Sequence, residues 1–222
     1  MPISVIIVTE FKYDETVGRL LPTHSRDGGV CVSKVVAFIG SPHKEGRTAQ
    51  LVHEILRGAR DAGAEVKAYN ASDAEVGPCM ACFSCREGPE CATKDGMQNV
   101  LADVKDADAI VVGSPVHMCQ VSAHAKMFLD RLFPLIGLTM TPEGPSLSAR
   151  FPTKKILFAY AQNVPDVGVY TPYFDWVRSS ISATPGAFIT MGDVVLGSSL
   201  TPEPPGLAVT LEKAYAAGKA LA

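Results

Sequence analysis

Residues 35–51 read VVAFIGSPHKEGRTAQL, and this stretch decides the fold. Val35–Gly40 is apolar without alternation and stops at a glycine, as in a strand buried on both faces. A polar turn follows. From Thr48 onward, Leu51, Val52, Ile55, Leu56 and Ala59 recur at a helical period, which predicts a helix over Thr48–Ala62.

The same alternation repeats outward from this unit. Ala64–Tyr69, Ile110–Gly113, Lys155–Ala161 and Ala187–Leu196 are predicted strands two to five. Asp95 and Gln98 have capping-box spacing ahead of Val100, Leu101 and Val104, so a helix starts there. Further helices are predicted over Ser122–Ile136, Tyr173–Ile181 and Leu207–Leu221. Continuously apolar strands alternating with helices predict an α/β protein, a parallel sheet covered on both faces. Such sheets bind ligands beyond the carboxyl ends of their strands, where the strand order reverses. Residues 1–33 stand outside the alternation as an N-terminal extension. Ser4–Val8 is expected to add an edge strand, the alternative being an arm onto a second subunit. Residues 34–222 form the α/β domain, which carries a cysteine-rich loop at 77–96.

Composition narrows the function classes. A chain of 222 residues with 47% hydrophobic and 19% charged residues describes one ordinary globular domain. A net charge of -3 argues against nucleic acid or an anionic membrane as main partner. No apolar run approaches the roughly 20 residues that span a bilayer. The Ile3–Val8 run is too short for a secretory core and has no basic residue ahead of it. The expected location is therefore a reducing cytoplasm, where six cysteines are not a disulfide framework.

Three loops carry candidate chemistry. Gly40–Leu51 leads from the first strand into a helix start, where exposed amides and the positive dipole end favour an anion. Ser41 and Thr48 add hydroxyls, and His43, Lys44 and Arg47 can balance a phosphate, with Glu45 opposing them. In the third loop, GSPVHMCQVSAHAKMFLDRL (Gly113–Leu132), Pro115 keeps Ser114 extended, so Val116–Cys119 projects from the sheet. Its amides, carbonyls, thioether and imidazole suit a flat heteroaromatic ligand. Lys126, Asp130 and Arg131 are expected to make surface or capping pairs. Between these two lies PCMACFSCREGPEC, with Cys79, Cys82, Cys85 and Cys91. No helix or strand places four such side chains on one face, so a loop around a thiophilic centre is expected. A [4Fe–4S] cluster, a zinc ion, a redox disulfide and four empty thiols are the alternatives. Arg86 and Lys94 are expected to offset thiolate charge. Cys31 and Cys119 fall outside the set.

GSPHKEGRT, the cysteine loop ending in CATKDGM, and GSPVHMCQVSAHAKMFLDRL resemble the signatures of flavodoxin-like NADPH-dependent FMN reductases. The cysteine spacing further resembles the iron–sulfur flavoproteins of that superfamily. The likeness runs from about Lys34 to the C-terminus. It implies a doubly wound five-stranded sheet of order 2-1-3-4-5 with FMN at the switch point. By the same resemblance Ser41, His43, Arg47 and Thr48 surround the FMN phosphate, while Ser114, Pro115, Val116, His117 and Met118 hold the ring. Gly96 departs from the family, which commonly reads Asp-Asp-Met there, and Gln162–Gly168 has few of the glycines usual after strand four.

The leading expectation is an FMN-binding oxidoreductase that passes electrons between the flavin and a [4Fe–4S] cluster on the four cysteines. Ferredoxin or a small-molecule acceptor is the implied partner, NAD(P)H a possible donor, and a homodimer or higher homo-oligomer the implied assembly. No side-chain acid or base is assigned. The first alternative is a cluster-free NAD(P)H-dependent reductase of FMN, quinones or nitro compounds. The second is a flavin-free, zinc-binding interaction module.

Overall fold

The computed structural model describes residues 32–222, which form one unit. The expectations for Ser4–Val8 and the rest of the extension up to residue 31 lie outside the described residues.

Strand β1 (Lys34–Ile39) leads through the first loop to α1 (Arg47–Asp61), and β2 (Glu65–Asn70) to the one-turn helix α2 (Ala71–Ala74). The cysteine loop then runs to α3 (Met97–Asp106). Next come β3 (Ala109–His117), the two-residue β4 (Gln120–Val121) and α4 (Ala123–Asp130). A hairpin of β5 (Ile136–Thr141) and β6 (Gly144–Ala149) precedes β7 (Lys154–Ala161), α5 (Thr171–Ser182), β8 (Phe188–Leu196) and α6 (Leu207–Lys219). The sheet order is β2-β1-β3-β7-β8, all parallel, so the expected 2-1-3-4-5 arrangement is observed, with β7 and β8 as its last strands. The direction of winding reverses between β1 and β3.

Successive strand residues face opposite sides, so one apolar run serves two cores. Val35, Ala37, Ile39, Ala109, Val111, Leu157 and Ala159 pack against α1 and α6. Val36, Phe38, Ile110, Val112, Ile156, Phe158 and Tyr160 pack against α3, α4 and α5. Stacked rings fix two of these helices to the sheet. Phe128 of α4 lies on Phe38 with centroids 4.5 Å apart, and Phe174 of α5 lies on Tyr160 at 3.9 Å.

Two elements differ from expectation. The predicted helix Ser122–Ile136 ends at Asp130, because Pro134 cannot continue it and instead sits in a 3-10 turn, Phe133–Leu135. The chain then forms the β5–β6 hairpin, paired from Ile136↔Ala149 to Thr141↔Gly144. The third strand extends to His117 and folds back on itself. Val116 and His117 pair antiparallel with Val121 and Gln120 across a two-residue turn at Met118 and Cys119. Both turn residues have positive φ (47° and 64°), the geometry that matches a tight hairpin to strand twist.

Candidate cofactor crevice and cysteine loop

The carboxyl ends of β1 and β3 are tied directly together. Gly40 N–H donates to the Gly113 carbonyl at 2.8 Å. Ser122, the N-cap of α4, donates its hydroxyl to the Gly40 carbonyl at 2.6 Å and accepts from Ala125 N–H at 3.1 Å. Its own N–H donates to Ser114 Oγ at 2.8 Å, and Ser114 Oγ–H donates to the Pro115 carbonyl at 2.8 Å. A Cβ on Gly40 would stand 2.7 Å from Ala125 Cβ, so only glycine lets α4 approach this closely. The Ser114 and Ser122 hydroxyls are thus spent on holding three segments in register. What they leave for a ligand is main chain.

The first loop behaves similarly. Gly46 is the N-cap of α1 and no side chain caps the helix, so its first-turn amides and positive dipole end face the loop. Ser41 and Thr48 are buried at its base, with Ser41 Oγ accepting from His43 N–H at 3.2 Å. The cationic side chains do not gather there. Arg47 donates to Gln50 Oε1 at 2.8 Å and to the Thr201 and Pro202 carbonyls, Lys44 pairs with Asp73 at 2.6 Å, and His43 is exposed. The donors this loop offers are therefore its amides and hydroxyls.

Pro115 and Val116 are partly buried at the rim, whereas His117 is exposed and Met118 is 94% exposed on its turn. Cys119 lies near Tyr170 and holds its phenol above the ordinary range. Gln162, at the carboxyl end of β7, is a residue that sequence reading did not assign. It is buried and its Nε2 donates to the Val164 and Asp166 carbonyls at 3.0 and 2.8 Å. Its Oε1 is buried with no partner among the described residues. Such an orphan acceptor at the ligand edge of the sheet fits an N–H or O–H brought by a bound molecule.

The cysteine loop is held from outside itself. Arg150, after β6, donates to the Cys85 and Arg86 carbonyls at 2.9 and 2.7 Å. Arg131, just after α4, has a side chain with 0% exposure. It donates to the Gly77 carbonyl at 3.2 Å, to Asp95 Oδ2, to the Thr93 carbonyl at 3.3 Å and to Cys91 Sγ at 3.3 Å. The expectation of a surface or capping pair for Arg131 is corrected by this, whereas Lys126 and Asp130 do pair at the surface. Arg131, rather than Arg86 or Lys94, supplies the buried positive charge. Arg86 instead stacks on Phe83 at 3.7 Å.

Asp95 both caps α3, accepting from Met97 N–H at 3.1 Å, and accepts from Gly77 N–H at 2.8 Å. Burial alone would raise its pKa, but Arg131 and these amides outweigh it and hold the carboxyl below the usual range. Gln98 does not close a capping box. Its Nε2 ties the Cys91 and Thr93 carbonyls at 2.9 and 2.6 Å. Gly96 is required where it departs from the family pattern, since a Cβ there would fall 1.6 Å from the Ala74 carbonyl oxygen.

Cys79, Cys82, Cys85 and Cys91 are all free thiols. Burial, then the neighbouring Cys91, Cys79 and Cys82, push the Cys85 thiol up, while bonds from Ser84 bring Cys82 down. Among the described residues, however, no three His, Cys, Asp or Glu side chains are grouped to hold a metal ion. The donor set fits a thiophilic centre in kind and number, without converging on a common point.

The fold and crevice define a flavodoxin-like α/β protein. A family model described as NADPH-dependent FMN reductase matches residues 33–149, and the chain belongs to that family. An iron-sulfur flavoprotein of Methanocaldococcus jannaschii is 40% identical over 102 residues, 46% of this chain and 53% of that protein. One from Methanosarcina thermophila is 33% identical over 98 residues, 44% of this chain and 51% of that protein. Those matches cover about half the length of each relative. Among solved structures, an NAD(P)H:quinone oxidoreductase from Methanothermobacter marburgensis superposes with a TM-score of 0.65 at 13% identity, covering 86% of this chain and 100% of that one. An FMN-dependent NADH-azoreductase from Bacillus anthracis, solved in complex with FMN, gives 0.63 at 14% identity over the same shares. At those identities the likeness is one of fold.

Proposed function

We propose that this chain is a flavin-dependent oxidoreductase that binds FMN at the carboxyl ends of β1, β3 and β7 and exchanges electrons between it and a [4Fe–4S] cluster on Cys79, Cys82, Cys85 and Cys91. One observation carries the reading. Helix α4 is bonded at its start, through Ser122, to the crevice loop and at its end, through Arg131, to the cysteine loop. Eight residues at 1.5 Å each put about 12 Å of helix between the two. The names of the curated relatives support an iron–sulfur centre, and the family supports FMN.

In this reading the uncapped amides of α1, with the Ser41 and Thr48 hydroxyls, hold the phosphate. Main-chain groups of Ser114–Met118 and the Gln162 Oε1 acceptor orient the ring. His43, Arg47 and His117 contribute at the periphery. Bound flavin supplies both one- and two-electron exchange and the cluster one-electron exchange, with the protein setting position and potential. No side-chain acid or base is needed. Ferredoxin or a small-molecule acceptor, NAD(P)H as donor and a homodimer belong to the same proposal.

The second reading is a cluster-free NAD(P)H-dependent reductase of FMN, quinones or nitro compounds. The family description favours it, as does the failure of the four thiols to converge. Anaerobic purification, an absorption spectrum and assays for iron, zinc and FMN separate the readings. FMN with about four irons per chain supports the first, and loss of iron with retention of FMN in Cys82→Ser or Cys85→Ser supports the ligand set. A yellow, iron-free protein that turns over NADPH and tolerates Cys79→Ser establishes the second. A colourless zinc protein refutes both.

A further inference from the structure

Of the two arginines that grip the cysteine loop from outside, Arg131 is the one whose side chain is wholly buried. Among the described residues, its guanidinium donates only to residues 77–95. Two go to the stems of the loop, at the Gly77 carbonyl and Asp95, one to the Thr93 carbonyl, and one to a single sulfur, that of Cys91. Among the described residues, the other three thiols have no such donor. Ser84 Oγ approaches Cys82 Sγ at 3.6 Å, but from within the loop. Nor is the arrangement economical for stability. Burying a guanidinium is expensive even when paired, and here the Nε–H is left without a partner among the described residues. A Leu or Met would fill this position at lower cost. The fork geometry is what an apolar residue lacks, since one planar group reaches both stems and one sulfur at once.

We propose that Arg131 is the positioning residue of the thiol set. It fixes Cys91 as the preformed sulfur and stabilises its metal-bound, anionic form, so that Cys79, Cys82 and Cys85 close onto a centre already anchored at Cys91. The proposal rests on reading the four cysteines as one ligand set. Arg131 itself touches no metal. It acts through Cys91, as outer partners of metal ligands do, and their loss commonly weakens metal binding about 10–100-fold.

The test uses Cd²⁺ as the probe on the FMN-loaded, iron-free chain under anaerobic conditions. Four proteins are compared: wild type, Arg131→Lys, Cys91→Ser and the double variant. Wild type is expected to show thiolate-to-cadmium charge-transfer absorption worth four sulfurs. Arg131→Lys keeps a charge but loses the fork, and is expected to bind Cd²⁺ about tenfold more weakly. Its absorption should fall to three sulfurs' worth. Cys91→Ser should behave alike, and the double variant should be no weaker than Cys91→Ser alone, because both changes remove the same anchor. FMN content reports that the fold is intact. Should Arg131→Lys fail to fold, Asp95→Asn releases the guanidinium from its stem and should show the same non-additivity with Cys91→Ser.

Unchanged Cd²⁺ affinity in Arg131→Lys overturns the proposal. So does an additive double variant, which would put the action of Arg131 elsewhere. Wild type that engages Cd²⁺ with two thiolates or fewer overturns it as well. A chain that binds Cd²⁺ through four sulfurs yet is purified without iron sinks the cluster assignment and leaves the role of Arg131 standing.

Discussion

Ser122→Ala is the sharpest probe of the crevice. The hydroxyl does two jobs at once in a fully buried setting. It caps α4 by accepting from Ala125 N–H, and it saturates the Gly40 carbonyl at 2.6 Å. Loss of an N-cap costs about 1 kcal/mol. The Gly40 carbonyl is then stranded in a dry site, which costs about 1–3 kcal/mol more. Allowing for partial relaxation, the expected loss is about 3 kcal/mol, and at 2–4 °C per kcal/mol for a chain of this size Tm falls by about 6–12 °C. Because Gly40 leads directly into the loop proposed to hold the phosphate, FMN affinity should fall about tenfold, near 1.4 kcal/mol. Thermal unfolding with and without FMN, and fluorescence titration of the flavin, measure both. Ser114→Ala is the paired control, since Ser114 Oγ accepts from Ser122 N–H. The double variant should cost less than the two single changes together, as one network is being dismantled twice. Unchanged Tm and flavin affinity in Ser122→Ala would refute the idea that this hydroxyl sets the crevice.

Three further outcomes are expected. Arg47→Ala should lower FMN affinity by less than about twofold, because the guanidinium is spent on Gln50, Thr201 and Pro202 rather than on a phosphate; surface contacts of this kind are worth under about 1 kcal/mol. Flavin titration decides it. Gly96→Ala forces a Cβ to 1.6 Å from the Ala74 carbonyl oxygen, so α3 or the cysteine loop must shift, at about 2–4 kcal/mol by denaturant unfolding. Asp95 gives a pH signature. Its folded pKa lies below the unfolded value of about 3.9, so its contribution is complete above that pH and is lost as pH falls through the folded value. The stability gap between wild type and Asp95→Asn should be level near neutrality and close below about pH 4.

The sheet was legible because burial on both faces leaves an unbroken apolar run, as in Val35–Ile39, that few other structures need. The turn after β1 and the start of α1 were legible because helix starts have local signals. Arg131 was not. Its partners Gly77, Asp95, Thr93 and Cys91 lie 36 to 54 residues earlier, and no spacing rule links them. One local hint existed, for Arg131 stands three residues after Phe128 on the buried side of α4, where an arginine needs an explanation. Pro134 likewise marked the end of that helix, and the hairpin beyond it was hidden by extending the apolar stripe through it. The setting of Arg47 was hidden for a related reason: besides Gln50, its partners Thr201 and Pro202 come from a segment about 150 residues away.

Helix α4 connects the two candidate sites, which raises the question of whether it couples them. Its middle is pinned, since Phe128 stacks on Phe38 of β1 and Ala125 packs against Gly40. A disturbance at Ser122 should therefore be absorbed in the first turn before it reaches Arg131, nine residues and about 13.5 Å along the helix. Sites separated by more than about 7–10 Å without shared partners add within about 0.5 kcal/mol. The expected result is that Ser122→Ala weakens FMN binding and leaves Cd²⁺ affinity alone, Arg131→Lys does the reverse, and the double variant shows both losses unchanged. Coupling well above that limit in either titration would mean that α4 moves as a lever, and the two sites would then have to be treated as one.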